Sequence, residues 1–504
     1  MKRPLCLLLL FPALAIAGSG IEAARKYRRQ NGPEIIREYA KFLSIPNVAA
    51  DHENIRRNAN YILDAFRKRG ATMELLELPN ASPVVFGELK APGATRTLLL
   101  YFHYDGQPAD PTRWAQDPWK ATLYTASMED GGKARALPLD GEEIDPESRL
   151  YARSAGDDKV AYPCLLAALD GLAEAGIPLT SNLKFFFEGE EEMGSPHLRE
   201  FLITYKDRLD GDIWLFLDGP MHQSRHPLLT FGVRGVTGME ITVFGARRSL
   251  HSGHYGNWAP DPGLLMAHLL ASIKSPDGEV LVDGFYDSVT PLGKGELDAL
   301  ASIPDYDDEM RKELGIAQTE LANTAYKERL LLPSLTIKGV SSGNVGDLAR
   351  NVIPSHATAT LGMRLVKGND PDHMLGLLEK HIRKQGFHIV SEDPDQATRE
   401  KYPRIAKVVR DRFGYPAART EIGNPVVGQV IAAARKASDQ ELYLMPGVGG
   451  SLPLHNFTDM LGKPAVIVPV ANHDDNQHAP NENIRVANLW YGIDLYASLF
   501  TMEK

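Results

Sequence analysis

Imidazoles and carboxylates gather at the ends of short apolar runs in this chain. Thr97–Phe102 is followed by His103-Tyr104-Asp105, Leu183–Phe187 by Glu188-Gly189-Glu190-Glu191-Glu192, and Ile213–Leu217 by Asp218. Ala465–Val470 leads, after a short loop, into His473-Asp474-Asp475-Asn476-Gln477-His478. Asp157-Asp158 stands just ahead of a helical pattern that starts near Tyr162. Each feature alone has an ordinary explanation: a structural histidine, an acidic first helical turn, an aspartate cap. Together they change meaning, because several carboxylates aimed at one crevice repel and raise one another's pKa unless cations neutralise them. Two histidines add the neutral nitrogen donors that zinc or a similar ion accepts. Three or four carboxylates carry more charge than one ion absorbs, and match a two-metal site with a shared carboxylate and ions about 3.5–4 Å apart. His103 and Asp105 fall on one face of an extended chain, so Asp105 is expected to accept from the second imidazole nitrogen while Tyr104 packs away from the site.

The elements that must position these groups follow from hydrophobic spacing. The four apolar runs read as strands buried on both faces of a mostly parallel sheet, and Ala161–Ala175 and Pro196–Leu209 between them read as helices, which makes an α/β layer. In open α/β sheets ligands bind beyond the carboxyl ends of the strands, where the candidate residues stand. From Glu34 to Gly70 the spacing is helical, with Gly70 as a stop. A second texture runs from about residue 231 to 421: Met239–Phe244 and Ala357–Met363 alternate like half-exposed antiparallel strands, and Leu264–Ile273 and Met374–Lys384 read as helices. The expected organisation is a catalytic domain in two segments, 25–230 and 422–504, interrupted by an α+β domain at 231–421. Asp277–Arg329, with Asp305-Tyr306-Asp307-Asp308-Glu309, is expected as a solvated excursion.

Taken as a set, these residues resemble the co-catalytic di-zinc metallopeptidases that include carnosine dipeptidases, glutamate carboxypeptidases, aminoacylases and acetylornithine and succinyl-diaminopimelate deacylases. The resemblance rests on His103-Tyr104-Asp105, Ala152–Lys159, Glu188–Ser195, Asp218, Arg248–Gly253 and Asp474–His478 followed by Asn481-Glu482. The His251 segment and the terminal motif are most similar to the dipeptidase branch. The resemblance implies that Asp157 bridges two Zn2+ ions, or Mn2+ or Co2+ in their place. His103 and Asp218 would complete one site, and Glu192 and His478 the other. Glu191 would be the general base and the Asp157–Asp158 peptide would be cis. It also implies that the inserted domain is a lid that forms a homodimer, with His251 reaching the partner's site. Arg364 would bind a substrate carboxylate, with Asn351, Gly450 and Ser451 as further contacts. Val160 stands where the family usually has Gly. Three consecutive glutamates leave the register open by one position; Gly194-Ser195 favours Glu191 as base and Glu192 as ligand, with Glu190 solvated. The reaction expected is hydrolysis of an amide in a small peptide with a free carboxyl end, a metal-bridged water losing its proton to Glu191. An N-acyl amino acid deacylase is the alternative, and a non-catalytic peptide- or metal-binding protein the more distant one.

Composition bounds the rest. The chain has 504 residues, 43% hydrophobic and 24% charged, enough for a large core in more than one domain. With 55 basic against 65 acidic side chains, a nucleic-acid partner is not expected. Residues 1–17 combine Lys2 and Arg3, an apolar run and Ala15-Ile16-Ala17, which reads as a cleaved export signal too short to span a bilayer, so a periplasmic or secreted location without stable membrane insertion is expected. Of 2 cysteines only Cys164 would survive cleavage, buried and unpaired.

Overall fold

The computed structural model describes residues 14–503, with side chains from residue 20. The leader expected at 1–17 therefore lies for the most part outside the described residues, and the first helix begins at Leu14. Two compact units are present. One runs through Phe231 and continues as Thr420–Met445 and from Asn456 onward; the other comprises Gly232–Arg419 and Pro446–His455. Residues 446–455, expected in the returning catalytic segment, cluster with the second unit, where Ser451 and Gly450 are hydrogen-bonded to Arg234 and Val448 bridges Val233.

The first unit is built on an eight-stranded sheet. Along the chain its strands are β1 (Thr72–Leu76), β2 (Val84–Leu89), β3 (Thr97–His103), β4 (Asn182–Glu188), β5 (Ile213–Phe216), β6 (Leu228–Thr230), β7 (Tyr443–Met445) and β8 (Ala465–Ile467). Their order across the sheet is β1-β2-β4-β3-β5-β8-β6-β7. The centre, β4-β3-β5-β8, is parallel, while β1 and β2 extend one edge antiparallel. The runs that read as continuous apolar segments are the central strands because both faces are covered: Leu98 to Phe102 and Phe185 to Phe187 are all buried. Phe457 sits edge-on to Trp214 and Phe216 on one face, and Phe66 packs on Phe185 and Phe187 on the other. Each such side chain contributes about 1.5–3 kcal/mol relative to exposure.

Helices α1 (Leu14–Leu43), α2 (His52–Arg67), α3 (Ala161–Glu174) and α4 (Val486–Phe500) belong to this unit, with α1, α3 and α4 packed on one another. Asp51 caps α2 by accepting from Asn54 N, and Gly70 takes φ +85° just past its end. Pro196–Leu209 is shorter than its periodicity suggests: a helix at Leu198–Thr204, then a single 3-10 turn. Cys164 is free and buried in α3. Among the described residues no helix is long and apolar enough to cross a membrane.

The second unit is a five-stranded sheet with helices on one face. Its strand order is Ser334–Ser341, His356–Leu365, Gly235–Phe244, Ile405–Arg410, His388–Val390, antiparallel except for the last pair. His356–Leu365 alternates strictly, burying Ala357, Ala359, Leu361, Met363 and Leu365 against helices Pro262–Ile273 and Pro371–Lys384. Both helices open with an Asp cap followed by Pro in the first turn. The stretch 277–329 departs from expectation. Val280, Val282 and Phe285 enter the unit's core, and Ala299, Leu300 and Ile303 are buried. Its charge density masked these sparse anchors; Asp305, Asp308 and Glu309 do remain exposed.

Candidate metal centre

The side chains of the candidate centre are delivered by the carboxyl ends of central strands or by loops beside them. His103 ends β3 and pairs in register with Glu188 at the end of β4; Glu190–Glu192 follow β4, and Asp218 follows β5. Asp157 and Asp158 lie between strand Arg149–Tyr151 and α3, joined by a cis peptide. The loop after β8 carries Gln477 and His478 and returns as strand Asn483–Arg485, which pairs with Arg149–Tyr151.

Asp157 stands between the two histidines: His103 Nε2 is 2.8 Å from its Oδ1, and His478 Nε2 is 3.0 Å from its Oδ2. His478 Nε2 is also 3.1 Å from Glu192 Oε2, and His103 Nε2 lies 3.9 Å from Asp218 Oδ2. Two groups of donors could each hold an ion, with atoms within 4.8 Å of one another: His103, Asp158 and Asp218, all buried, and Asp157, Glu192 and the more exposed His478. Asp158, whose carboxylate had no role in the sequence reading, belongs to the first group; adjacency to Asp157 was its only signal. Both of its carboxylate oxygens are buried without a hydrogen-bond partner among the described residues. His103 Nδ1 lies 3.2 Å from the Asp105 carbonyl oxygen and 3.4 Å from Oδ1 of its carboxylate. The same carboxylate accepts from the backbone N–H groups of Glu191 at 3.1 Å and Glu192 at 3.0 Å, a contact sequence spacing did not reveal.

The electrostatics are those of a donor set short of positive charge. Burial pushes the Asp218 carboxyl up to about 7, helped by Asp157 and Glu192, although His103 opposes it. Burial also raises Asp158 and Glu191 well above the carboxylate range. Burial alone would lower His103, but Asp105 and Asp157 raise it well above the usual imidazole range, and Asp157 and Glu192 take His478 up to about 10. Imidazoles drawn toward imidazolium between buried carboxylates, beside an orphaned Asp158, are what divalent cations would replace. The donors are nitrogen and oxygen only, a set suited to Zn2+, Mn2+ or Co2+.

Glu190, expected as solvated, is buried: it accepts from Ser82 N at 2.6 Å and meets His197 Nδ1 at 2.8 Å. Just before it Gly189 passes against the Tyr104 ring, where a Cβ would stand 2.5 Å from the hydroxyl. Tyr104 is fully buried and its hydroxyl donates to the Pro83 carbonyl. Residues preceding β3 brace the centre from behind. Asn47 Nδ2 donates to Tyr104 O and Ser154 Oγ, both at 2.9 Å, and the buried Lys159 ammonium donates to Phe42 O and Ile45 O. Val160 is buried just ahead of α3.

Glu482 closes the loop around Asp157. It accepts from Arg153 Nη1 at 2.6 Å and from the N–H groups of Ser154, Gly156 and Asp157, each at 3.0 Å. Glu482→Gln strands the buried Arg153 and turns an amide toward these donors, so it is expected to cost about 3–5 kcal/mol in urea unfolding. A loss below about 1 kcal/mol would remove Glu482 from this structural role.

The remaining expected site residues all belong to the second unit and fall into two groups. Arg364 Nη1 donates to Ser451 Oγ at 2.6 Å, Ser451 Oγ donates to Arg234 O, and Arg234 N donates to Gly450 O. His251, exposed, pairs with Val352 beside Asn351, whose carbonyl accepts from Ser252 N.

Residues 99–502 match the sequence profile of peptidase family M20/M25/M40. The chain belongs to that family. It is accordingly a metallopeptidase, with an α/β catalytic domain. A Cys-Gly metallodipeptidase of Schizosaccharomyces pombe is 25% identical over 92% of this chain and 94% of its own. The human Beta-Ala-His dipeptidase is 27% identical over 83% of this chain and 77% of its own. Among solved structures, an M20 family metallo-carboxypeptidase from Sulfolobus solfataricus superposes with a TM-score of 0.72 at 26% identity, covering 93% of this chain and 99% of that one. Human carnosine dipeptidase 1 does so with a TM-score of 0.66 at 23% identity, covering 95% and 99%. This M20 chain thus resembles dipeptidases over nearly its whole length.

Proposed function

We propose that this M20 chain is a two-metal dipeptidase or related exopeptidase that cleaves the amide bond of small peptides with a free carboxyl end. The observation that carries the reading is Asp157, whose two carboxylate oxygens face different imidazoles. His103 and Asp218 would hold one ion, Glu192 and His478 the other, and Asp157 both. Zinc is the metal proposed, with Mn2+ or Co2+ compatible with the same donors. When bound, the ions supply Lewis acidity that lowers the pKa of a water and polarises the scissile carbonyl. Glu191 takes the water's proton and returns it to the leaving amine. Asp105 positions rather than reacts: it orients His103 and, through two N–H groups, Glu191 and Glu192. Arg364, steadied by Ser451, offers the planar fork that suits a terminal carboxylate; Gly450 and Asn351 are further substrate contacts and His251 an oxyanion donor. The dipeptidase names of the relatives support this substrate class.

A panel of free dipeptides and N-acetyl amino acids tests it: the zinc-loaded protein is expected to turn over dipeptides about tenfold faster or more. The reverse preference would make the chain an N-acyl amino acid deacylase, and ion binding without turnover of either class a peptide- or metal-binding protein.

The second unit is proposed as a homodimerising lid. Its edge strand Ser334–Ser341 is exposed from Thr336 onward, with Ile337 and Val340 uncovered and Val345 and Leu348 exposed just beyond. Residues 1–17 are proposed as a cleaved leader that directs export. Light scattering and N-terminal sequencing of one purified sample test both: a single-chain mass would exclude the dimer, and an intact Met1 the cleavage.

A further inference from the structure

The two donor groups are not braced alike. Glu192 Oε2 and Asp157 Oδ2, the two oxygens that face His478 Nε2, each accept a side-chain amide hydrogen: Gln107 Nε2 donates to Glu192 at 2.9 Å and Gln477 Nε2 to Asp157 at 2.7 Å. In the buried group, by contrast, the Asp158 oxygens have no hydrogen-bond partner among the described residues. Gln107 follows β3 and Gln477 precedes His478, so the two amides arrive from segments far apart in sequence.

Ordering a glutamine costs side-chain entropy, and an exposed one such as Gln477 has water as an alternative partner. The chemistry of the donor matters more. A lysine or arginine here would neutralise the carboxylate and compete with a cation for it, whereas a neutral amide fixes the carboxylate's rotamer and leaves its charge available. Two such amides on the two carboxylates of one group hold its oxygens in place before an ion arrives. The other half has no such amides: Asp105 orients its His103 and the Asp158 carboxylate lies buried beside it.

We propose that Gln107 and Gln477 form a positioning pair that sets the affinity of the outer ion, the one held by Asp157, Glu192 and His478, more strongly than that of the inner one, which would share only Asp157 with it. The inference rests on the two-metal reading above. Neither glutamine is a metal ligand or touches the reacting atoms.

The test is calorimetric titration of the chelated full-length protein with Zn2+, for the wild type, Q107L, Q477L and the double variant, with kcat/KM measured across Zn2+ concentrations. The wild type is expected to bind two ions per chain in distinguishable steps. The double variant is expected to weaken one step by about 10–100-fold and the other by no more than a few-fold, and to regain wild-type turnover at raised Zn2+. Far-UV circular dichroism of the chelated proteins should coincide, and if Q107L fails to fold, Q477L alone decides. Two unchanged affinities, equal weakening of both steps, or lost turnover that zinc does not restore would each overturn the pair's role. A wild type that binds no ion, or one, would overturn the two-metal reading instead, so the two failures are distinct.

Discussion

Glu191→Gln is expected to keep both ions and the fold while lowering kcat for dipeptide hydrolysis by about 10²–10⁴-fold, the usual contribution of a general acid–base group. The substitution is nearly isosteric, so Asp105 still accepts from the residue-191 N–H and the loop keeps its place. What disappears is the proton acceptor. The Glu191 carboxylate makes no hydrogen bond to the described residues, and burial beside Asp218 and Asp157 raises its basicity, as a group that must take a proton near neutral pH requires. The effect should fall on kcat with little change in KM, because the amide still occupies the volume. Near-normal rates on every substrate would remove Glu191 from the base role and bring Glu192 or Glu190 back into question. Glu190 starts from a weak position, since Ser82 and His197 already occupy both its oxygens.

Asp157→Ala is expected to have the larger effect on metal. Its two oxygens serve different histidines, so one truncation strips a donor from each half of the centre. Removal of a group that only orients a ligand costs about 10–100-fold in affinity or activity, and loss of the shared ligand should exceed that in both ion-binding steps at once. The Glu482 clamp binds the backbone N–H of residue 157 rather than its side chain, so the loop should survive and unfolding should change less than in Glu482→Gln. Metal analysis after gel filtration gives the readout: less than one ion per chain is expected, and two retained ions would show that Asp157 is not shared.

Much of this centre could be read from the amino acids because β3, β4 and β5 are continuous apolar runs with a ligand type just past each end. Burial on both faces of a parallel sheet imposes that pattern, and the carboxyl-end rule then turns it into a site. The returning strand was legible too, although only Ala465–Ile467 is paired as strand and the extended chain carries on to the loop. What could not be read is whatever depends on contacts without a local period. Glu482 meets Arg153 across 329 residues, and Gln477 meets Asp157 across 320. Neither pairing leaves a trace in hydrophobic spacing. Glu190 illustrates the opposite difficulty: beside two other glutamates it has the composition of a solvated turn, and only the Tyr104 ring, the Ser82 N–H and His197 make it an interior residue. The stretch 277–329 is solvent-exposed for most of its length, as its charge suggests, but its few buried apolar anchors are diluted among charges for the same reason.

Joint action of two ions around Asp157, as proposed, is tested by dipeptide turnover of chelated protein during stepwise addition of Zn2+, with bound metal measured in the same samples. Negligible turnover in the chelated protein, and activity that reaches its plateau only as the second ion per chain is bound, is the result predicted. Turnover that needs no divalent ion, or that is complete with one ion per chain, would contradict it.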